Sequence, residues 1–152
     1  MSLIGENITS AKTLLKNGEI VAIPTETVYG LAGNALDVTS VSRIFSIKKR
    51  PNFDPLIVHT HSIEALQEFV TEIPEQALTL ANVFWPGPLT LLLPKKNIVP
   101  DLVTSGLNRV AVRIPNHPLT LDLLRSLDFP LAAPSANPFG YISPTCSRSI
   151  RE

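Results

Sequence analysis

Apolar and polar positions along this chain fall into short blocks whose period keeps changing. Ala11, Leu14 and Leu15 lie on one helical stripe, which predicts a helix from Asn7 to Lys16. Thr9 or Ser10 can cap it, and Gly18 suits its exit. "EIVAIP" predicts a short buried strand. "TETVYGLAGNALD" has hydroxyls and glycines where a core element would have apolar residues, so it reads as a functional loop. Helical spacing returns after Asp37 or Thr39, either of which can cap, with Val41, Ile44, Phe45 and Ile47 turned inward. Pro51 disfavours helical geometry at Arg50 and ends that helix.

"PLIVHT" predicts a strand and Ser62 to Val70 a helix. Pro74 fits the first turn of another helix through Ala77, Ala81 and Phe84. "LTLLLP" and "RVAVRIP" are strands, Pro118 opens a helix through "LTLDLLRSL", and "FPLAAPSANP" is a strand running into a loop. This alternation predicts an α/β fold, one domain with a helix-covered sheet. Parallel crossovers are expected, and the adjacent runs "LTLLLP" and "RVAVRIP" leave room for a mixed sheet. The final stretch, "CSRSIRE", has no apolar periodicity.

Composition changes this picture little. The 13 Lys and Arg balance the 13 Asp and Glu, so no global charge draws the chain to nucleic acid or to a membrane. Cys146 is the single cysteine, which excludes an intrachain disulfide and fits a reducing compartment. No basic segment precedes a long apolar one at the N-terminus, and no apolar run approaches the roughly 20 residues of a membrane span. A cytoplasmic protein is the expectation. Phosphate-binding GxxxxGK[ST], dinucleotide-binding GxGxxG, metal-binding CxxC and HExxH, and the GxSxG elbow are all missing.

Local chemistry is more telling. Lys48, Lys49 and Arg50 stand side by side before "PNFDP". They can simply complement a helix C-terminus. They can also hold phosphate or carboxylate oxygens, with Arg50 presented by a loop stiffened by Pro51 and Pro55. Thr25, Glu26, Thr27 and Tyr29 follow one strand, and Ser135 and Asn137 follow another; either set can serve turn geometry or line a ligand site. His59 sits inside an apolar strand. Arg113 ends one, so it needs an anion, either a carboxylate of the protein or a ligand. "WPGPLT" reads as architecture, a tight turn.

"PTETVYGLAGNA", "IFSIKKRPNFDPLIVHTH", "WPGPLTLLL", "VAVRIPNHP" and "PLAAPSANPFGYISPT" occur in this order. Each is modest alone; the ordered set resembles the YrdC-like family, whose characterised members are threonylcarbamoyl-AMP synthases, over about residues 10–145. The resemblance implies a twisted mixed sheet with helices on its faces and a deep, positively lined cavity. It implies that L-threonine, bicarbonate and ATP, with Mg²⁺ on the phosphates, give L-threonylcarbamoyl-AMP and pyrophosphate. A separate complex then passes the threonylcarbamoyl group to tRNA as threonylcarbamoyladenosine. Lys48 and Arg50 match the family's phosphate-facing pair and catalytic cations, and Asp54, Asn137 and Thr145 match further ATP contacts. Thr27, His59, Arg113 and Ser135 match positions near the threonine.

Three departures stand out. Asp54 replaces a common asparagine, and a carboxylate there needs compensation from Lys49 or Mg²⁺. Arg109 replaces a small hydroxyl residue and could offset Asp54. Family members usually continue some tens of residues past "SPT", so the family domain is expected to be short at this end. A second reading follows from the same basic patch: a non-catalytic module binding double-stranded RNA or tRNA.

Overall fold

The computed structural model describes residues 5–51, 54–137, 140 and 142–146. Its elements are α1 (Ile8–Lys16), β1 (Val21–Ile23), β2 (Gly30–Asn34), α2 (Val38–Lys48), β3 (Ile57–His59), α3 (Ile63–Leu66), α4 (Glu75–Phe84), β4 (Leu91–Pro94), α5 (Asp101–Thr104), β5 (Arg109–Arg113), α6 (Pro118–Ser126) and β6 (Leu131–Ala132). The six strands form one mixed sheet in the order β1-β2-β6-β3-β5-β4. The pair β3–β5 is parallel and the other described pairs are antiparallel. The α/β class therefore holds, and the sheet is mixed.

Several local expectations change. Asn7, not Thr9 or Ser10, caps α1, accepting from the Ser10 backbone N–H at 3.1 Å. Gly18 leaves that helix with φ +79°, which glycine adopts without strain. The strand in "EIVAIP" is an edge strand, so Val21 and Ala22 are only half-buried. Part of the presumed loop "TETVYGLAGNALD" is β2, an interior strand. Its glycines made it look irregular, yet Gly33 is where α2 and the segment before β1 press closest. A Cβ there would meet Ile20 Cδ1 at 2.7 Å and Ile44 Cδ1 at 3.3 Å.

Asp37 caps α2 through the Thr39 and Ser40 N–H groups. The helix stops at Lys48, and Lys49 takes a left-handed conformation (φ 53°) ahead of Pro51. Ile47 is 59% exposed, while Lys48, one turn after Ile44, faces inward. α3 covers only four of the residues expected in its helix. After it the chain tightens into turns, and Val70 bridges to Lys95. Pro74 stands at the cap of α4 rather than inside its first turn. Phe84 is exposed, because the chain extends at Trp85 and Trp85 packs on the core instead.

The sheet has two unlike faces. Val58, Val110, Val112, Leu91, Leu93 and Ala132 point into the larger core, with α2, α4 and α5 residues. Alternation along each strand sends their neighbours the other way. There α1 and α6 cover Ile23, Ala32, Leu131 and Ala133. The same face continues over β3, β5 and β4. Register puts Ile57, Ala111 and Leu92 in one row across it, and His59 and Arg113 in the next. Leu92 is 57% exposed, so helices do not seal this half of the face.

Candidate functional site

The carboxyl end of α2 and the loop after β6 meet through Lys48. Its Nζ donates to the backbone carbonyls of Ser135 and Asn137. The side chain is buried, and burial pushes its pKa down to about 8, helped by Arg50 and opposed by Asp54. No carboxylate lies within ion-pair reach of Lys48 among the described residues. A compact cation with one donor left over suits an entering anion.

Arg50 is held by its own loop. Nε donates to Asp54 O at 3.2 Å, Nη2 to Pro55 O at 2.9 Å, and Nη2 pairs with Asp54 Oδ2 at 2.9 Å. Burial lowers its pKa, with Asp54 opposing. The compensation expected for Asp54 from Lys49, Mg²⁺ or Arg109 therefore comes from Arg50. Lys49 is exposed, and Arg109 begins β5 on the surface. Asn52 and Phe53 of the same loop, and "SRSIRE" of the tail, lie outside the described residues.

Ser135 is fixed by an antiparallel bridge to Gly30, and Ala136 N–H donates to Tyr29 O at 2.8 Å. Asn137 is buried, its Oδ1 accepting from Ser143 Oγ at 3.2 Å. Tyr29 N–H donates to Pro144 O at 2.9 Å, which brings the "SPT" segment beside the "PTETVYG" loop. Thr145 follows there and is exposed. The "PTETVYG", "PSANP" and "SPT" segments are thus stitched together by backbone hydrogen bonds, and the Lys48 side chain joins them.

The other end of the site is built on β5. Arg113 is 9% exposed. Its Nε donates to Gly87 O at 3.2 Å, and its Nη2 to Thr27 Oγ1 at 3.3 Å and to Glu26 Oε1. The anion that Arg113 requires is thus supplied by the protein. Glu26 Oε2 also accepts the Asn116 N–H at 2.5 Å. Burial pushes the Glu26 carboxyl up, but its own backbone N–H, Arg113 and Asn116 outweigh that and hold it below the usual range. Thr25 serves the turn, as its hydroxyl accepts from the Thr27 and Val28 N–H groups.

"WPGP" does more than turn the chain. Gly87 N–H donates to Ile114 O at 2.8 Å while Gly87 O takes Arg113, so the turn clamps the end of β5. Sequence reasoning placed Glu26 in a loop that could serve a turn or a ligand site and Gly87 in a tight turn, and paired neither with Arg113; the arginine ending an apolar strand was the signal that it needed an anion. His59 lies beside Arg113 in register. Burial, then Arg113, push its pKa down to about 4, so the imidazole is neutral at pH 7. Its Nδ1 is buried without a partner among the described residues.

All nine expected residues fall into this arrangement, Lys48, Arg50, Asp54, Asn137, Thr145 and Ser135 towards the start of β3 and Thr27, His59 and Arg113 at its end. β3 and the two residues before it, Pro55 to His59, run between the two groups, on the order of 13 Å if fully extended. A cavity of about 240 Å³ opens elsewhere, between His61, Trp85, Ile114 and Leu121, and none of the nine residues lines it.

A family model covering Sua5, YciO and YrdC proteins, described as "Telomere recombination", matches residues 13–152. The chain belongs to the Sua5/YciO/YrdC family. It is 51% identical over 145 residues to the threonylcarbamoyl-AMP synthase of Pyrococcus abyssi, covering 95% of this chain and 43% of that protein. The threonylcarbamoyl-AMP synthase of Cellvibrio japonicus is 30% identical, over 90% of this chain and 72% of its own length. The crystal structure of P. abyssi Sua5 complexed with L-threonine superposes with a TM-score of 0.93 at 50% identity, covering 98% of this chain and 44% of that one. The chain thus spans less than half the length of the P. abyssi protein.

Proposed function

We propose that this Sua5/YciO/YrdC domain forms L-threonylcarbamoyl-AMP and pyrophosphate from L-threonine, bicarbonate and ATP, for threonylcarbamoyladenosine modification of tRNA. The carrying observation is the pair of cationic ends, Lys48 with Arg50 before the start of β3 and Arg113 with Thr27 at its end. Supporting it, a relative complexed with L-threonine superposes closely, and relatives about half identical are named threonylcarbamoyl-AMP synthases.

The threonine amine attacks bicarbonate to give a carbamate with loss of water. The carbamate oxygen then attacks the α-phosphate, and pyrophosphate leaves. Charge builds on phosphate oxygens, so preorganised cations matter more than acid–base groups. Lys48 and Arg50 meet that need, with Asn137 and Thr145 completing the nucleotide end and Asp54 holding Arg50. Arg113 takes the amino-acid carboxylate, Thr27 and Ser135 orient its polar groups, and neutral His59 adds one hydrogen-bonding nitrogen. Positioning the two reactants lowers the barrier further.

Mg²⁺ enters on the ATP phosphates as part of the substrate. Among the described residues no group of three or more His, Cys, Asp or Glu could hold a metal ion. No helix among them is long and apolar enough to cross a membrane. A cytoplasmic setting, with delivery to a separate tRNA-modifying complex, completes the reading.

The test is pyrophosphate release with ATP, Mg²⁺ and bicarbonate, with and without L-threonine. Threonine-dependent release is expected. No release together with salt-sensitive tRNA binding would replace this reading by an RNA-binding one.

A further inference from the structure

Arg113 is only partly committed. An arginine has five N–H donors. Nε–H goes to Gly87 O, and Nη2 serves Glu26 Oε1 and Thr27 Oγ1. The Nη1 pair has no partner among the described residues. One guanidinium is thus held on one side and left open on the other, in a site where Arg113 is 9% exposed.

We propose that Glu26 is a positioning residue for amino-acid binding, acting through Arg113: it fixes the guanidinium plane so that Nη1 is left for the ligand's α-carboxylate. This rests on the amino-acid end of the reading above. The two Glu26 oxygens have separate tasks. Oε1 holds Arg113 and Oε2 holds the Asn116 N–H, so one side chain ties the "PTETVYG" loop to the turn between β5 and α6. Thr27, next in sequence, reaches the same Nη2, so closing the loop sets both contacts at once.

Physical chemistry requires something of this kind. A buried guanidinium without a counter-ion is costly, and a free arginine side chain has many rotamers to lose. Glu26 meets both costs before a ligand arrives. With Nε and Nη2 occupied, an incoming carboxylate finds one donor edge, and its orientation is dictated in advance. Preorganisation of that kind shows as ligand affinity.

The experiment compares wild type, Glu26→Gln, Arg113→Ala and the double variant, titrated calorimetrically with L-threonine and with Mg·ATP. Arginine side-chain ¹⁵N spectra are recorded alongside, the Arg113 Nη signals assigned by their loss in Arg113→Ala. Glu26→Gln is expected to weaken threonine binding about tenfold and leave ATP affinity within twofold. The double variant should be no worse than Arg113→Ala, because a residue acting only through Arg113 has nothing left to act on. The distinct Arg113 Nη2–H signals, held by Glu26 Oε1, should collapse to the averaged position in Glu26→Gln.

Unchanged or improved threonine binding in Glu26→Gln overturns the proposal, as do losses that multiply in the double variant or an unaltered Arg113 signal. Should Glu26→Gln fail to fold, Glu26→Asp, which keeps the charge but is one methylene too short for both partners, is read on the same signals. A wild type that binds no threonine, with the Arg113 signal still lost in Glu26→Gln, overturns the amino-acid reading and upholds the positioning of Arg113.

Discussion

Lys48 offers a test in which the structure dictates a number. Burial pushes its pKa from 10.5 to about 8, because two carbonyls replace water and no carboxylate among the described residues is close enough to pair with it, Asp54 opposing only from a distance. A triphosphate seated beside it restores the cation. At pH 8.5 a group with pKa 8 is about one-quarter protonated, and one returned to its ordinary value is fully so. Binding Mg·ATP should therefore take up about 0.75 proton at pH 8.5 and about 0.1 at pH 7. The sign follows: the complex holds more protons than the free site, so affinity falls as pH rises through 8, by up to about tenfold per unit. Calorimetry at pH 8.5 in two buffers of different ionisation heat gives the proton number directly. Lys48→Met should abolish the uptake; it also strands two carbonyls, at a cost of about 1–3 kcal/mol of stability. Uptake below about 0.2 at pH 8.5, or equal uptake in Lys48→Met, would refute the placement of phosphate beside Lys48.

The remaining predictions concern the two ends and the sheet. Arg50→Ala should weaken ATP binding more than threonine binding, and Arg113→Ala should do the reverse; equal losses for both ligands would remove the two-ended assignment. Gly33→Ala should destabilise the fold by about 1–3 kcal/mol, since the new Cβ meets the ends of Ile20 and Ile44. A lowered urea midpoint with unchanged slope checks this, and an unchanged midpoint means those side chains have room to shift.

What the sequence made legible followed from local physics. The period-2 alternation of "RVAVR" and the helical stripe of "AKTLLK" announced β5 and α1, because each buries one face of its own element. Asp37 and Gly18 marked helix ends for reasons confined to a few residues. The miss at β2 has the opposite origin. Gly30 and Gly33 look like loop residues in isolation, and only the closeness of Ala133, Ile20 and Ile44 explains their use in an interior strand. Ile47 was misplaced because its apolarity was weighed above helical period: positions 41, 44, 45 and 48 share the buried stripe. The carbonyls that accept Lys48 there come from nearly ninety residues away. In the site, residue types pointed to an anion-binding surface, but not to which cations were already occupied. Arg113 announced that it needed an anion; that the partner is Glu26, 87 positions earlier, depends on the sheet order.

That difference in occupancy has a consequence for how the site meets its ligands. Arg50 comes with Asp54 and Arg113 with Glu26, so each arginine enters the site as a nearly neutral pair. Such pairs can stay ionised in partly buried positions, and they offer directed N–H donors rather than net charge. Among the described residues Lys48 has carbonyl dipoles for partners. The field drawing an anion into the site therefore comes chiefly from Lys48, and the arginines settle its orientation once it arrives. A polyanion gains most where the unpaired charge lies, and a single carboxylate gains most where a fixed donor edge waits. The proposed division between a phosphate end and an amino-acid end thus follows from which cation carries a counter-ion and which does not, on a chain whose formal net charge is zero.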